Sequence, residues 1–159
     1  LLYRYFPSKE HLLVSVMLCQ VESLSDRLTV RPTAGVSAAE RVNEVLGRAT
    51  AALLRQPDFT TALMRALVSG DKSVVPAVRQ VREAMHAIVL DAMGSGSTDD
   101  GGSTDQMGDG EDGVADDVLL ADLLEEIWFS SLLGWISGVY PSSSIGVKLT
   151  AATQLLLDR

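Results

Sequence analysis

The chain has 159 residues, of which 47% are hydrophobic and 21% charged, as in an ordinary globular domain. This balance excludes disordered, collagen-like and disulfide-scaffold classes for the chain as a whole, and the length predicts one domain with a sizeable core. The formal net charge of −8 comes from one segment, Gly94 to Asp117, which contains eight of the 21 acidic residues and no Lys or Arg. In the rest of the chain, 13 acidic residues balance 13 basic ones.

Helical periodicity dominates the chain, and no segment alternates apolar and polar residues cleanly, so we expect an all-α fold of about six helices. The first predicted helix has Ser8 as its N-cap and runs to about Leu28. Its apolar residues share one face, and they are Leu12, Leu13, Val16, Cys19 or Gln20, and Leu24.

Two further helices are predicted before Gly70. Ser37 and Glu40 fit a capping box, in which each side chain accepts a hydrogen bond from the backbone N–H of the other. A short helix is predicted over residues 58–69, and Gly70 is expected in a left-handed C-terminal cap. The second helix has an apolar stripe of Val42, Val45, Leu46, Ala49 and Leu53.

The fourth predicted helix ends at Gly94 and has the most regular stripe of the chain. Residues 94–113 follow, rich in Gly, Ser, Thr and Asp with Met107 as the one large apolar residue, and this composition predicts a disordered acidic loop inserted within one domain. The stripe before this acidic loop consists of Val74, Val78, Val81, Met85, Ile88 and Ala92.

A long helix is predicted over residues 116–140 and a final one over residues 143–157. The long helix begins with a stripe that includes Leu123 and with Glu125 facing outward, but beyond Ile127 it is apolar all round and must be covered on several sides. A two-fold homodimer through the last two helices of each subunit would cover it. The predicted interface residues are Ser130, Gly134, Gly138, Leu149, Ala152 and Leu156.

The chain lacks the sequence signatures of catalysis and of metal or cofactor binding, so we predict a non-enzyme without a cofactor. Only His11 and His86 could act as bases near neutral pH. The one cysteine, Cys19, is predicted to be a small buried hydrophobe, and it cannot form a disulfide within the chain. No signal peptide is recognisable, and Pro141 breaks the longest uncharged run, so we expect a cytoplasmic protein without a membrane span.

Three aromatic residues lie within two turns of the long helix: Trp128, Phe129 and Trp135. They fit either the core and dimer interface or a ligand cavity, and the sequence leaves both open.

The run LYRYFPSKEHLL at Leu2 to Leu13 closely resembles the end of the helix-turn-helix domain of TetR-family transcriptional regulators, in which L-Y-x-[HY]-F-x-[SN]-K-x-x-L closes the recognition helix and opens the next. The helical layout of the remainder also looks like that family's ligand-binding and dimerisation domain. The resemblance implies that residues 1–8 are a remnant of the helix-turn-helix domain and that residues 9–159 form the second domain. Most of the DNA-binding domain is then expected to precede Leu1.

Within the family, three segments are similar to KstR-type repressors of steroid catabolism in actinomycetes: the run from Tyr3 to Leu13, Gln56-Pro57 with the short helix after it, and Ile127 to Trp135. This similarity implies a repressor that a steroid-derived acyl-CoA thioester releases from operator DNA. The alternative is a helical ligand-binding or oligomerisation module without a DNA role. A lipid-modifying enzyme is a weaker alternative, since it would need a nucleophile and a base that the sequence does not offer.

The family pattern places Tyr3, Tyr5 and Lys9 at the DNA backbone. Their chemistry agrees, since a phenol can donate to a phosphate and a lysine at a helix N-terminus adds a cation to free backbone amides. The structural alternative is that either tyrosine packs against neighbouring helices. Base-reading residues would lie in the missing segment, because phosphate contacts do not specify sequence.

An apolar effector pocket is predicted among three helices. The nearby cations Arg65, Lys72, Arg79 and Arg82 could meet a CoA phosphate or simply form a solvated face. The predicted pocket residues are Phe59, Leu63, Met64, Leu67, Val68, Val81, Met85, Ile88, Val89, Trp128, Phe129, Leu132 and Trp135.

Overall fold

The computed structural model describes residues 4–94 and 110–158, and the regular structure within these ranges is helical. This confirms the predicted all-α class. The six helices in chain order are α1 (Lys9–Val30), α2 (Ala38–Leu54), α3 (Pro57–Leu67), α4 (Val75–Gly94), α5 (Gly110–Ile136) and α6 (Ser143–Leu157).

The described chain divides into two compact units. The first unit contains the described residues up to Pro32 together with Arg48–Ala87, and in it α1 packs against α3. The second unit contains Thr33–Gly47 together with the described residues from Ile88 onward, and in it α5 packs against α6. The predicted boundary after residue 8 stays a prediction.

Helix α1 starts as predicted, but its fully buried residues agree with the predicted stripe only at Leu24. The Ser8 hydroxyl oxygen accepts a hydrogen bond from the His11 N–H at 3.1 Å, which confirms the N-cap. The buried residues are Val14, Val21 and Leu24, whereas Cys19 is exposed, so the predicted burial of Cys19 was wrong. Apolar residues occur on several sides of this helix, and spacing alone therefore could not select the buried side.

Helix α2 confirms both predictions made for it. The Glu40 N–H donates to the Ser37 hydroxyl oxygen at 3.1 Å, and the Ser37 N–H donates to the Glu40 carboxylate at 3.3 Å. The predicted stripe is buried throughout, and its residues are Val42, Val45, Leu46, Ala49 and Leu53.

Helices α3 and α4 also follow the sequence pattern closely. Helix α3 has Pro57 in its first turn, and Gly70 adopts a left-handed φ of 72° as expected, although Val68 and not Gly70 is the C-cap. Helix α4 ends at Gly94 as predicted, and its stripe is buried except for the half-buried Val78. Residues 95–109 of the predicted acidic loop lie outside the described residues.

Helix α5 begins at Gly110 and ends at Ile136, so both predicted ends were wrong. The glycine-rich composition concealed the start, although acidic residues near a helix N-terminus are favourable. At the other end, Gly138 adopts a φ of 75°, and the Val139 N–H donates to the Gly134 carbonyl at 2.9 Å, a turn that closes the helix before Tyr140.

The buried face of α5 is also shifted from the predicted one. Leu124, Glu125 and Trp128 are buried, whereas Leu123 is exposed. The prediction that Glu125 faces solvent was therefore wrong. Leucines on adjacent faces of α5 made it ambiguous from the sequence which face is buried. No buried side-chain polar atom among the described residues lacks a hydrogen-bond partner.

Candidate functional site

The start of α1 holds the described residues predicted at the DNA backbone. Tyr5 is 73% exposed and Lys9, the first residue of the helix, is exposed as well. Tyr3 lies outside the described residues. The first amides of a helix have no acceptor within it, and here the Ser8 hydroxyl accepts from the amide of His11. A phenol, an ammonium group and a helix start thus lie close together along the chain, and each is a group that can contact a phosphate.

An acidic residue lies near this helix start. Asp71, in the loop after α3, accepts a hydrogen bond from the Ser73 N–H at 2.9 Å. The backbone and side chain of Ser73 lower the pKa of the Asp71 carboxyl, with smaller contributions from the Ser8 hydroxyl and the charge of His11, while desolvation opposes them. The His11 ring is also 6.0 Å from the Phe6 ring, centroid to centroid.

The predicted pocket residues of the first unit differ in burial. Four of them are buried, while Phe59 and Leu67 are half-buried and Val68 is exposed. The buried four are Leu63, Met64, Val81 and Met85.

The predicted pocket residues of the second unit are more uniformly enclosed. Phe129 and Trp135 are half-buried, and the other four are buried. Trp128 therefore belongs to the core of this unit, while a ligand role for the three aromatic residues stays a prediction. The buried four are Ile88, Val89, Trp128 and Leu132.

The cations near the predicted pocket are all exposed, and this fits the solvated-face alternative. They are Arg65, Lys72, Arg79 and Arg82.

The residues predicted at a dimer interface also separate into two groups. Ser130 and Gly138 are exposed and Leu156 is half-buried, but Leu149 and Ala152 are buried within the subunit and have little surface left for a second copy. Three other residues of α6 are exposed to solvent. We call Val147, Ala151 and Leu155 the α6 stripe, because they are exposed and four residues apart.

Sequence reasoning missed the α6 stripe because apolar residues repeat at a spacing of four on both sides of this helix. Val147 is 71% and Leu155 is 77% exposed, so the stripe is an uncovered apolar surface of the described chain.

Gly134 has a role inside the subunit. A Cβ atom built on it would lie 2.8 Å from Cε2 of Tyr140, closer than real Cβ atoms approach other atoms. The Lys148 Nζ lies 3.3 Å from the centroid of the same ring, a cation–π contact. The small size of Gly134 thus makes room for Tyr140, which accounts for a glycine at this predicted interface position without a second copy.

Arg41 is a buried polar residue that the sequence analysis did not identify. It is 7% exposed and donates from its guanidinium to three backbone carbonyls, those of Val36, Ala92 and Met93. The available signal was its spacing, since Arg41 comes four residues before Val45 of the buried stripe. Because arginine side chains are usually exposed, the burial of Arg41 was not predicted.

The described residues include neither a membrane-spanning helix nor a cluster of metal ligands. None of the described helices combines the length and the apolar character that crossing a membrane requires. Residues 4–94 and 110–158 also contain no group of three or more His, Cys, Asp or Glu side chains arranged to hold a metal ion.

Comparison with known proteins gives consistent likenesses. A family model described as tetracyclin repressor-like, C-terminal domain, matches residues 35–105. The chain is 30% identical over 159 residues to the HTH-type transcriptional repressor KstR of Mycobacterium tuberculosis and 31% identical over 156 residues to that of Mycolicibacterium smegmatis. Both alignments cover 98% of this chain, and the chain spans 64% and 69%, respectively, of the length of these relatives.

A solved structure is similar over nearly the whole chain. The crystal structure of a TetR transcriptional regulator from Rhodococcus sp. RHA1 superposes with a TM-score of 0.76 at 30% sequence identity. The match covers 98% of this chain and 75% of that one.

Proposed function

The chain belongs to the TetR family, a family of transcriptional regulators and not of enzymes, and from this premise we propose that it is part of a repressor that binds operator DNA and releases it when an apolar effector binds. The observation that carries the proposal is the likeness to repressors over 98% of the chain. The exposed Tyr5 and Lys9 support it, since they are available to a phosphate.

The proposed mechanism is a shift between two states of a homodimer. In one state the two recognition helices match successive major grooves, about 34 Å apart, and in the other they do not. An effector that prefers the second state lowers the affinity for operator by its differential affinity for the two. The α6 stripe supports association, because it offers apolar surface that a second copy would cover. Because it would act on operator DNA, the protein is proposed to be cytoplasmic.

A steroid-derived acyl-CoA thioester is the proposed effector. Its support is the similarity to KstR-type repressors around Gln56-Pro57 and from Ile127 to Trp135. The apolar side chains predicted to line the pocket suit a steroid skeleton, and the CoA part of the molecule adds phosphates that a nearby cation could contact.

The test is fluorescence anisotropy of the full-length protein on its own upstream DNA, with and without a steroid acyl-CoA. Free CoA is the control for the phosphate groups, and the steroid acid without CoA is the control for the apolar part. Binding that the thioester abolishes supports the whole proposal. Binding that ignores the thioester removes the proposed effector, and no binding at low salt would support a helical module without a DNA role.

The DNA-backbone residues are tested in the same assay with Lys9→Ala. Losing one phosphate contact should weaken binding to all sequences alike and reduce the slope of log K against log salt by about 1. Arg27→Ala is the matched control, because Arg27 is an exposed cation in the last turn of the same helix. Equal effects of both variants would remove Lys9 from the proposed contact.

A further inference from the structure

The end of α4 has an unusual capping arrangement. The last carbonyls of a helix have no partner within it, and α4 has no basic residue in its last turn. Arg41 of α2 supplies the missing donors, with Nε to the Ala92 carbonyl at 2.7 Å and a terminal nitrogen to the Met93 carbonyl at 3.1 Å. A cation at the C-terminal end of a helix is also favourable to the helix dipole.

The third guanidinium nitrogen of Arg41 joins this helix end to the segment before α2. Its other terminal nitrogen donates to the Val36 carbonyl at 2.8 Å, and the Val36 N–H donates to the Glu40 carboxylate at 2.7 Å. Three acceptors around one planar, nearly buried guanidinium leave it a single orientation. The last turn of α4 is thereby fixed to the start of α2.

The fixed turn lies next to residues of the proposed effector site. Ile88 and Val89 precede Ala92 and Met93 by four residues, so each pair lies on one face of α4, one turn apart. The two hydrogen bonds that hold the carbonyls of Ala92 and Met93 therefore also fix the rotation of the preceding turn, which carries Ile88 and Val89.

We propose that Arg41 is a positioning residue of the effector site, which it shapes by holding the end of α4. This inference rests on the proposed function, since it assumes that Ile88 and Val89 contact an effector. Arg41 itself acts through α4 and does not touch the effector.

The variant Arg41→Lys tests the proposal in the full-length protein. Lysine keeps the charge but cannot present donors to three carbonyls in the geometry of a guanidinium. The concentration of steroid acyl-CoA that releases half of the operator DNA should rise roughly three- to thirtyfold, the range for residues that modulate coupling without touching the ligand. The operator affinity without effector should stay unchanged, which a general loss of structure would not allow.

Arg48→Lys is the matched control. Arg48 lies on the same helix and also donates to backbone carbonyls, those of Arg31 and Pro32 at 2.8 and 3.4 Å. It should leave the half-release concentration unchanged. Equal shifts in the two variants, or no shift in Arg41→Lys, would overturn the proposal.

Hydrogen exchange gives a second readout that needs no effector. The backbone amides of residues 88–94 should exchange faster in Arg41→Lys, and in Arg41→Gln if the lysine variant folds poorly, while those of α6 keep their rates. Unchanged exchange over 88–94 overturns the proposal. If the thioester fails to release the wild-type protein, the proposed effector is wrong, and the exchange result then decides whether Arg41 fixes the helix end.

Discussion

Single residues around the start of α2 show how little space this region leaves. A Cβ atom on Gly35 would lie 2.7 Å from the Arg41 backbone nitrogen and 2.7 Å from the Glu40 Cβ. Nearby, the Ala34 N–H donates to the Glu44 carboxylate at 2.9 Å. Gly47, within α2, has open space where its Cβ would be. A side chain is therefore excluded at Gly35 by its neighbours, whereas nothing around Gly47 excludes one.

This contrast predicts opposite effects of the same substitution. Gly35→Ala should destabilise the fold by about 1–3 kcal/mol, the usual cost of forcing an extra carbon into packed surroundings. Gly47→Ala should stabilise it by about 1 kcal/mol, because alanine is the better helix former. Urea unfolding of both variants at one protein concentration measures this, and a stabilising Gly35→Ala would contradict the packing observed there.

Asp71 makes stability depend on pH in a definite direction. Its pKa is lower in the folded state than the ordinary 3.8, mainly because of the hydrogen bonds from Ser73. Its carboxylate therefore stabilises the fold at pH values above 3.8, and the contribution disappears as the pH falls through the lowered folded pKa.

The stability difference between the wild-type protein and Asp71→Asn should accordingly be largest near neutral pH and shrink below about pH 4. Urea unfolding at pH 7, 4 and 3 measures the difference. Asp26→Asn, at an exposed position of α1, is the control for the change in net charge. A difference that grows on acidification would contradict a lowered pKa of Asp71 in the folded protein.

At the scale of helices, the sequence predicted the buried face well where one side alone is apolar. The stripes of α2 and α4 were confirmed for this reason. In α1 and α5, apolar side chains occupy several sides. The assigned face of α5 was off by about one position, as the burial of Glu125 shows, and that of α1 agreed with the buried residues only at Leu24. The end of α5 was missed because apolar residues continue to Tyr140, while a glycine with positive φ closes the helix at Gly138.

The pairing of Gly134 with Tyr140 is an element-scale prediction, because it joins α5 to the turn before α6. Gly134→Ala should destabilise the wild-type protein by about 1 kcal/mol, since the new methyl group displaces the Tyr140 ring from its contact with Lys148. In a Tyr140→Ala background the same change should be neutral or stabilising, because alanine favours helix.

A double-mutant cycle of thermal or urea unfolding measures the coupling between the two positions. Equal costs of Gly134→Ala in both backgrounds would mean that the glycine is required by something other than Tyr140, such as close approach of a second copy.

At the scale of the whole molecule, association through the α6 stripe is the main expectation. Leu155→Glu should raise the dissociation constant of the dimer roughly a hundredfold or more, because an unpaired carboxylate is costly to bury. Sedimentation velocity over a range of concentrations measures this. Gln154→Glu adds the same charge at a neighbouring exposed position and serves as the control. A dimer that survives Leu155→Glu would place the interface elsewhere.

The sequence predicted the fold class and family from local signals, the helical periodicity and the run from Leu2 to Leu13. It was less informative about the site. Leu149 and Ala152 were assigned to an interface but are buried within the subunit, because α6 has apolar residues on more than one side and periodicity does not say which neighbour covers each side. Arg41 was missed because two of its three carbonyl partners are about 50 residues away, and no local pattern encodes a contact at that distance.

Burial at the proposed effector site has a kinetic consequence. Val89 and Leu132 are 0% and 2% exposed, so an effector reaches them only after helices have separated. In a stopped-flow experiment the observed rate of effector binding should therefore level off at high effector concentration, at the rate of opening. Once effector is plentiful, the time the regulator takes to respond would then be a property of its own fold and no longer of the effector supply.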